Sequence, residues 1–140
     1  MVRSVVLLAA ALAMAGMTPV VTPKKGVGHW GHRLANAPDV LGCSWYYNWG
    51  PRPDSKADAV KAEFVPMIWS GAFATAENLA HVTSAGYPAL LGFNEPDGHG
   101  QADMTVAEAI AIWPKLEATG LRLGSPGTLT PVGLAWISAP

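Results

Sequence analysis

The chain carries one cysteine, Cys43, among 140 residues, so it can close no intrachain disulfide. That thiol sits in the apolar stretch Leu41-Gly42-Cys43-Ser44-Trp45, where a buried structural role fits better than a nucleophilic one. Charge is also scarce. With 14% charged residues and a net charge of -1, the chain has no basic field for nucleic acid and no polybasic patch for a membrane surface. It lacks a GxGxxG fingerprint, a phosphate-binding P-loop and a G-x-S-x-G elbow. Ser125 precedes Pro126 with no histidine partner in view, which argues against a serine hydrolase. His29 and His32 lie close together without a third ligand at metal spacing. His81 falls on a helical stretch, and His99 sits in a turn where a solvated loop residue is the simpler reading. No metal and no cofactor are therefore expected. The length is below the ~200 residues that a complete (β/α)8 barrel needs.

Long apolar runs are missing too, apart from one near the start. Arg3 precedes an apolar segment from Ser4 to Met14, and Ala13-Met14-Ala15 offers small residues at the positions a signal peptidase reads. This is the pattern of a secretory signal peptide cleaved after Ala15. The run is too short for a transmembrane helix, so stable membrane insertion is not expected, and a retained anchor is the weaker alternative. Thr18 to Lys25, with two prolines, reads as a linker. Residues 1–23 are accordingly assigned to signal peptide and linker, 24–140 to the folded domain, and the protein to the extracellular space or cell wall.

Hydrophobic residues make up 50% of the chain, and six are tryptophans, a core-rich globular composition. Strand signals at Gly26–Trp30, Leu41–Trp49, Glu63–Trp69, Ala89–Asn94 and Leu121–Pro126 alternate with helix-permissive segments. Ser55–Ala62 is short. Thr75–Val82 has Thr75 as N-cap and Gly86 as stop. Thr105–Ala118 opens on the capping box Thr105/Glu108 and stops at Gly120. A further helix begins at Val132. Arg33–Val40 can form a turn or two before Pro38 interferes, Pro114 should kink or break its helix, and Pro66 suggests a bulge in the third strand. Strand–helix alternation with short links means α/β class with a parallel sheet.

The most informative run is Ala89-Leu90-Leu91-Gly92-Phe93-Asn94-Glu95-Pro96-Asp97-Gly98. Its strand is apolar enough to be buried on both faces, and Pro96 ends it because proline has no N–H for the ladder. Glu95 is thereby held at the C-terminal mouth of a buried strand. Partial desolvation there favours the protonated carboxyl, which suits a general acid. Taken alone, a glutamate before proline is more often an ordinary solvated turn residue. The surrounding strand ends argue otherwise: Trp45, Tyr46, Tyr47, Asn48 and Trp49 close the second strand, and Trp69 and Ser70 the third. Indole and phenol faces stack on the C–H faces of sugar rings, while amides and carboxyls bind hydroxyls. Asn94, Trp49, Trp69, Asn48 and Tyr47 are the substrate-binding candidates, although core filling is the commoner fate of a tryptophan. Trp30, Trp113 and Trp136 are read as core.

The segments Cys43-Ser44-Trp45-Tyr46-Tyr47-Asn48-Trp49, Glu63-Phe64-Val65-Pro66-Met67-Ile68-Trp69, Leu91-Gly92-Phe93-Asn94-Glu95-Pro96-Asp97 and Leu123-Gly124-Ser125-Pro126 together resemble glycoside hydrolase family 128. The resemblance runs from about Lys25 to the last residue. It implies a retaining endo-β-1,3-glucanase on a (β/α)8 TIM barrel, here truncated to about the first five β/α units. It implies that Glu95 is the acid/base at the end of strand four, and that Asn94 hydrogen-bonds the sugar 2-hydroxyl. Counting Val27, Ser44, Val65, Leu91 and Leu123 as strands one to five places Glu95 at the same position. The family's nucleophile, a glutamate ending strand seven some 5 Å from the acid/base, has no counterpart in these 140 residues. The chain by itself is thus expected to be inactive, with β-glucan as its partner. The alternatives are a non-catalytic glucan-binding or wall-associated protein, and an apolar half that pairs with another chain. The sequence leaves the oligomeric state open.

Overall fold

Five parallel strands follow one another in chain order, with helices in three of the four connections among the described residues. The structure, a computed structural model, describes residues 22–30, 36–54 and 60–129. Strands β1 (Thr22–Gly28), β2 (Cys43–Tyr47) and β3 (Glu63–Phe64) pair in parallel in that order, as do β4 (Ala89–Leu91) and β5 (Arg122–Gly124). A parallel bridge between Met67 and Leu91 joins the two groups. There Leu91 N–H donates to the Pro66 carbonyl at 2.9 Å and Ile68 N–H donates to the Leu91 carbonyl at 3.0 Å. The expected α/β class with a parallel sheet is observed, and the described residues make part of a barrel-like sheet.

β1 begins at Thr22, inside the span read as linker, with a register irregularity between Thr22 and Gly26. Helix α1 (Ala37–Val40) places Pro38 in its first turn. Pro38 therefore opens the helix rather than ending it, because a first-turn residue has no intrahelical acceptor to lose. A single 3-10 turn spans Gly71–Phe73. Helix α2 (Ala76–Ser84) is capped by the Thr75 hydroxyl, which accepts from Asn78 N–H at 3.2 Å, and Gly86 follows it at φ 74. Helix α3 (Val106–Glu117) carries the anticipated capping box: Thr105 accepts from Glu108 N–H at 3.2 Å, and Glu108 accepts from Thr105 N–H at 2.7 Å. Pro114 lies inside α3 without breaking it; the helix continues to Glu117. Pro114 and Ile110 are both exposed, so the Ile110 carbonyl that loses its i+4 donor can be hydrated at little cost. Among the described residues no helix is long and apolar enough to cross a membrane. The signal-peptide span before Thr22, the first five residues of the Ser55–Ala62 segment, and the helix expected from Val132 lie outside the described residues, and Val60–Ala62 is not helical.

The main core lies between the sheet and the two longer helices. Ile68, Leu90 and Phe93 from the strands meet Val82 of α2 and Ala109 and Leu116 of α3. Trp113 closes it edge-on to Phe93, ring centroids 5.8 Å apart. A Cβ on Gly92 would stand 2.8 Å from that indole, so only glycine lets α3 approach the strand. A second cluster joins Tyr46, Ala62 and Phe64 to Tyr87; burial pushes the Tyr46 and Tyr87 hydroxyls above the usual tyrosine range. Cys43 is buried, as its neighbours implied.

The irregularity expected at Pro66 sits on the facing chain instead. Val65 N–H donates to Tyr46 O at 2.8 Å, and Met67 N–H donates to Gly50 O at 2.9 Å. A step of two residues on one side, 65 to 67, thus opposes a step of four on the other, 46 to 50. The extra length lies just after β2, at Asn48 and Trp49. Pro66 merely omits one donor on the side that faces β4.

Candidate active site

Beyond Leu91 the fourth strand stays tied to both neighbours. Asn94 N–H donates to the Trp69 carbonyl at 2.9 Å, and Glu95 N–H donates to the Gly127 carbonyl at 2.8 Å. Pro96 is buried and ends the ladder, and Gly98 N–H then donates to Glu95 O at 2.9 Å, closing a turn. Glu95 adopts φ 42. That left-handed backbone is unfavourable for a residue with a side chain, and it persists because hydrogen bonds on both sides of the residue fix it. The half-buried carboxyl is thus carried on a short, pinned, strained turn at the strand mouth.

The wall beside it comes from the ends of β1 to β3. Trp49 takes φ 63, so two of the three non-glycine residues with positive φ among the described residues face the same cleft. Trp49 packs at 5.8 Å from Trp30 and 4.8 Å from Tyr47, and Trp69 meets Phe73 edge-on at 5.9 Å. Buried Asn48 braces the bulge: its Nδ2 donates to Arg52 O at 2.9 Å and its Oδ1 accepts from Gly50 N–H at 3.1 Å. The Arg52 guanidinium in turn donates to Asn78 Oδ1 at 2.7 Å, linking this loop to α2. On the other side Asn94 Nδ2 donates to Gln101 Oε1 at 3.0 Å. The resulting cleft, about 550 Å³, is lined by Trp30, Asn48, Trp49, Trp69, Phe73, Asn94, Glu95 and Gln101. Aromatic faces flank a carboxyl and three amides, an arrangement that can hold sugar rings by their apolar faces and their hydroxyls by hydrogen bonds.

Five residues singled out from sequence, Glu95, Asn94, Trp49, Trp69 and Asn48, come together here. Tyr47 is not among the lining residues; it shares a face of β2 with Trp45, stacked on that ring and tilted against Trp49. Trp30, read as core, is instead 68% exposed and lines the cleft, because it lies past the end of β1. Phe73 and Gln101 were missed. Phe73 sits in a 3-10 turn and Gln101 in a loop, neither of which gives a periodic signal. Trp113 packs inward as expected, whereas His32 and Trp136 lie outside the described residues. His99 is solvent-exposed and pairs with Asp103 at 3.1 Å. Asp97 is not among the lining residues; its Oδ1 accepts from Leu129 N–H at 2.7 Å, tying the loop after β4 to the one after β5. Glu95 is the sole carboxylate among the described lining residues. Among the described residues no three His, Cys, Asp or Glu side chains gather as a metal site.

Residues 32–139 match the family described as glycosyl hydrolase catalytic core. Solved structures are similar over most of the chain. A GH128 subgroup I endo-β-1,3-glucanase from Amycolatopsis mediterranei, in complex with laminaritriose, is 35% identical with a TM-score of 0.67; the match covers 86% of this chain and 49% of that one. A subgroup II endo-β-1,3-glucanase from Sorangium cellulosum is 36% identical, TM-score 0.63, covering 74% and 46%. A subgroup III curdlan-specific exo-β-1,3-glucanase from Blastomyces gilchristii, in complex with glucose, is 35% identical, TM-score 0.63, covering 81% and 52%. The chain spans about half the length of these relatives. Among curated proteins none matches it.

Proposed function

The chain belongs to the glycosyl hydrolase catalytic core family and is similar to GH128 β-1,3-glucanases, and from that premise we propose that its cleft binds β-1,3-glucan and contributes the acid/base half of a retaining glycosidase. The observation that carries the reading is Glu95, held at the mouth of β4 beside Asn94 and faced by the rings of Trp30, Trp49, Trp69 and Phe73. In this role the Glu95 carboxyl protonates the departing glycosidic oxygen while a second carboxylate about 5 Å away attacks the anomeric carbon, and Glu95 then activates water. The Amycolatopsis enzyme has been solved with each of two different glutamates replaced, in complexes with laminari-oligosaccharides, which fits a two-carboxylate mechanism. The chain holds ten acidic residues, and only Asp58 lies outside the described ones. Of those near Glu95, Asp97 is tied to Leu129 N–H, Asp103 to His99 and Glu108 to its helix cap. Among the described residues we therefore assign no nucleophile. Secretion, which the N-terminal pattern suggested, completes the proposal.

The test has two arms. Laminaritriose titrated calorimetrically into the 140-residue chain should bind, with no reducing ends released on prolonged incubation. A chimera that adds the second half of the Amycolatopsis enzyme should hydrolyse laminarin, and Glu95→Gln in that chimera should lower kcat by about 10²-fold or more. Undiminished turnover by the Glu95→Gln chimera removes Glu95 from the chemistry. Binding without hydrolysis even in the chimera favours the glucan-binding alternative.

A further inference from the structure

Asn94 is held by its backbone at both ends, yet its side-chain amide could still turn over. Its N–H donates to Trp69 O at 2.9 Å, and its carbonyl accepts from Ala102 N–H at 3.2 Å. Neither bond fixes the sense of the side chain. A half-turn about the last torsion exchanges Oδ1 and Nδ2, and so presents a sugar hydroxyl with an acceptor where a donor stood. One contact distinguishes the two senses in this structure: Nδ2 donates to Gln101 Oε1 at 3.0 Å.

Gln101 reaches this place through the shape of its loop. Gly98 N–H donates to Glu95 O at 2.9 Å, Gln101 N–H donates to Gly98 O at 3.0 Å, and Met104 N–H donates to Pro96 O at 2.8 Å. Left-handed residues at Gly100, φ 82, and Asp103, φ 47, complete the return. Seven residues after Asn94 the chain is back beside it, with Gln101 on the cleft wall. Because Gln101 uses its oxygen on Asn94, its own Nε2 group is the donor it can offer to a ligand.

We propose that Gln101 is a positioning residue that fixes the amide sense of Asn94 beside Glu95, and that it presents its Nε2 donor to a hydroxyl of the bound glucan. The proposal rests on the reading of the cleft as a glucan site. Asn94 orients the ligand at the ring next to Glu95, while Gln101 sets which way Asn94's donor and acceptor face.

Two variants separate the parts. Gln101→Met removes both acceptor and donor at similar length; Gln101→Glu keeps an acceptor for Asn94 and loses the donor. In the ¹⁵N-labelled 140-residue chain, one Asn94 amide proton should be shifted downfield and protected from solvent exchange. Gln101→Met should abolish both features and Gln101→Glu should retain them, while the backbone resonances of Glu95 and Gly98 report that the loop still folds. Laminaritriose affinity should fall by about fivefold or more in Gln101→Met, the loss expected for one or two hydrogen bonds, and by less in Gln101→Glu. An unchanged Asn94 proton in Gln101→Met, or unchanged affinity in that variant, overturns the proposal. If the wild-type chain binds no laminaritriose, the glucan reading of the cleft fails. The Asn94 proton then still decides the positioning role by itself: its loss in Gln101→Met supports the lock, and its persistence overturns it.

Discussion

Two residues hold the clearest local conflict between sequence and conformation. Trp49 at φ 63 and Glu95 at φ 42 occupy backbone space that glycine fills without strain. Such positions cost of order 1–3 kcal/mol and survive only where surrounding structure over-determines them. At Trp49 the determinant is the bulge after β2, braced by both polar atoms of Asn48. Replacing Trp49 by glycine or alanine removes the same ring contacts to Trp30 and Tyr47. Trp49→Gly should nonetheless be more stable than Trp49→Ala by about 1 kcal/mol in urea unfolding, reversing the usual order, because only alanine inherits the left-handed strain. Both should weaken laminaritriose binding by about tenfold, the equivalent of one stacked ring. Equal stabilities would show that the backbone relaxes once the indole is gone. The place of Glu95 at a strand mouth was legible from Ala89 to Pro96, since an apolar strand stopped by proline announces a mouth. The strain at that mouth was not, because nothing in the residue types encodes a positive φ.

At the level of elements, local chemistry predicted helices better than strands. Thr75, Thr105, Glu108, Gly86 and Gly120 are capping signals whose partners lie within a few residues, so sequence reveals them directly. The backbone and side-chain hydrogen bonds from Thr105 hold the Glu108 carboxyl below its usual range. A carboxylate lowered on folding contributes stability that is complete above the ordinary glutamate range and is lost as pH falls through the lowered value. Protection of the first-turn amides of α3 should therefore drop on acidification, and Glu108→Gln should flatten that dependence; a pH profile identical in the variant would separate the cap from the titration. Strand limits depend on distant partners, which explains why β1 starts four residues ahead of the Gly26 strand signal and why the bulge lies opposite Pro66. Leu90 of β4 is fully buried between α2 and α3. Leu90→Ala should cost about 3 kcal/mol by the cavity it leaves, read as a lower urea midpoint at unchanged m.

For the whole molecule, the parallel order of five strands places every strand end on one side, and that single fact assembles the cleft. A second cavity of about 520 Å³ on the sheet has Trp45, Val65, Leu91 and Leu123 in its lining together with Glu63 and Arg122. An apolar recess of this kind should bind a hydrophobic dye in the folded chain. Anilinonaphthalene sulfonate fluorescence should rise on adding native protein and fall in Leu91→Lys; no enhancement with the native chain would mean that the recess is covered. The sequence by itself determined the α/β class, the parallel order, the helix caps, the buried thiol and the carboxyl at the fourth strand's mouth. These follow from hydrophobic periodicity, proline and glycine punctuation and contacts only a few residues apart. Tertiary structure alone decided that Trp30 lines the cleft and Tyr47 does not, that the bulge sets Trp49 in the cleft wall, and that Gln101 returns to Asn94. Each of those depends on register between strands or on a loop closing over its own start, and neither is written in the spacing of residue types.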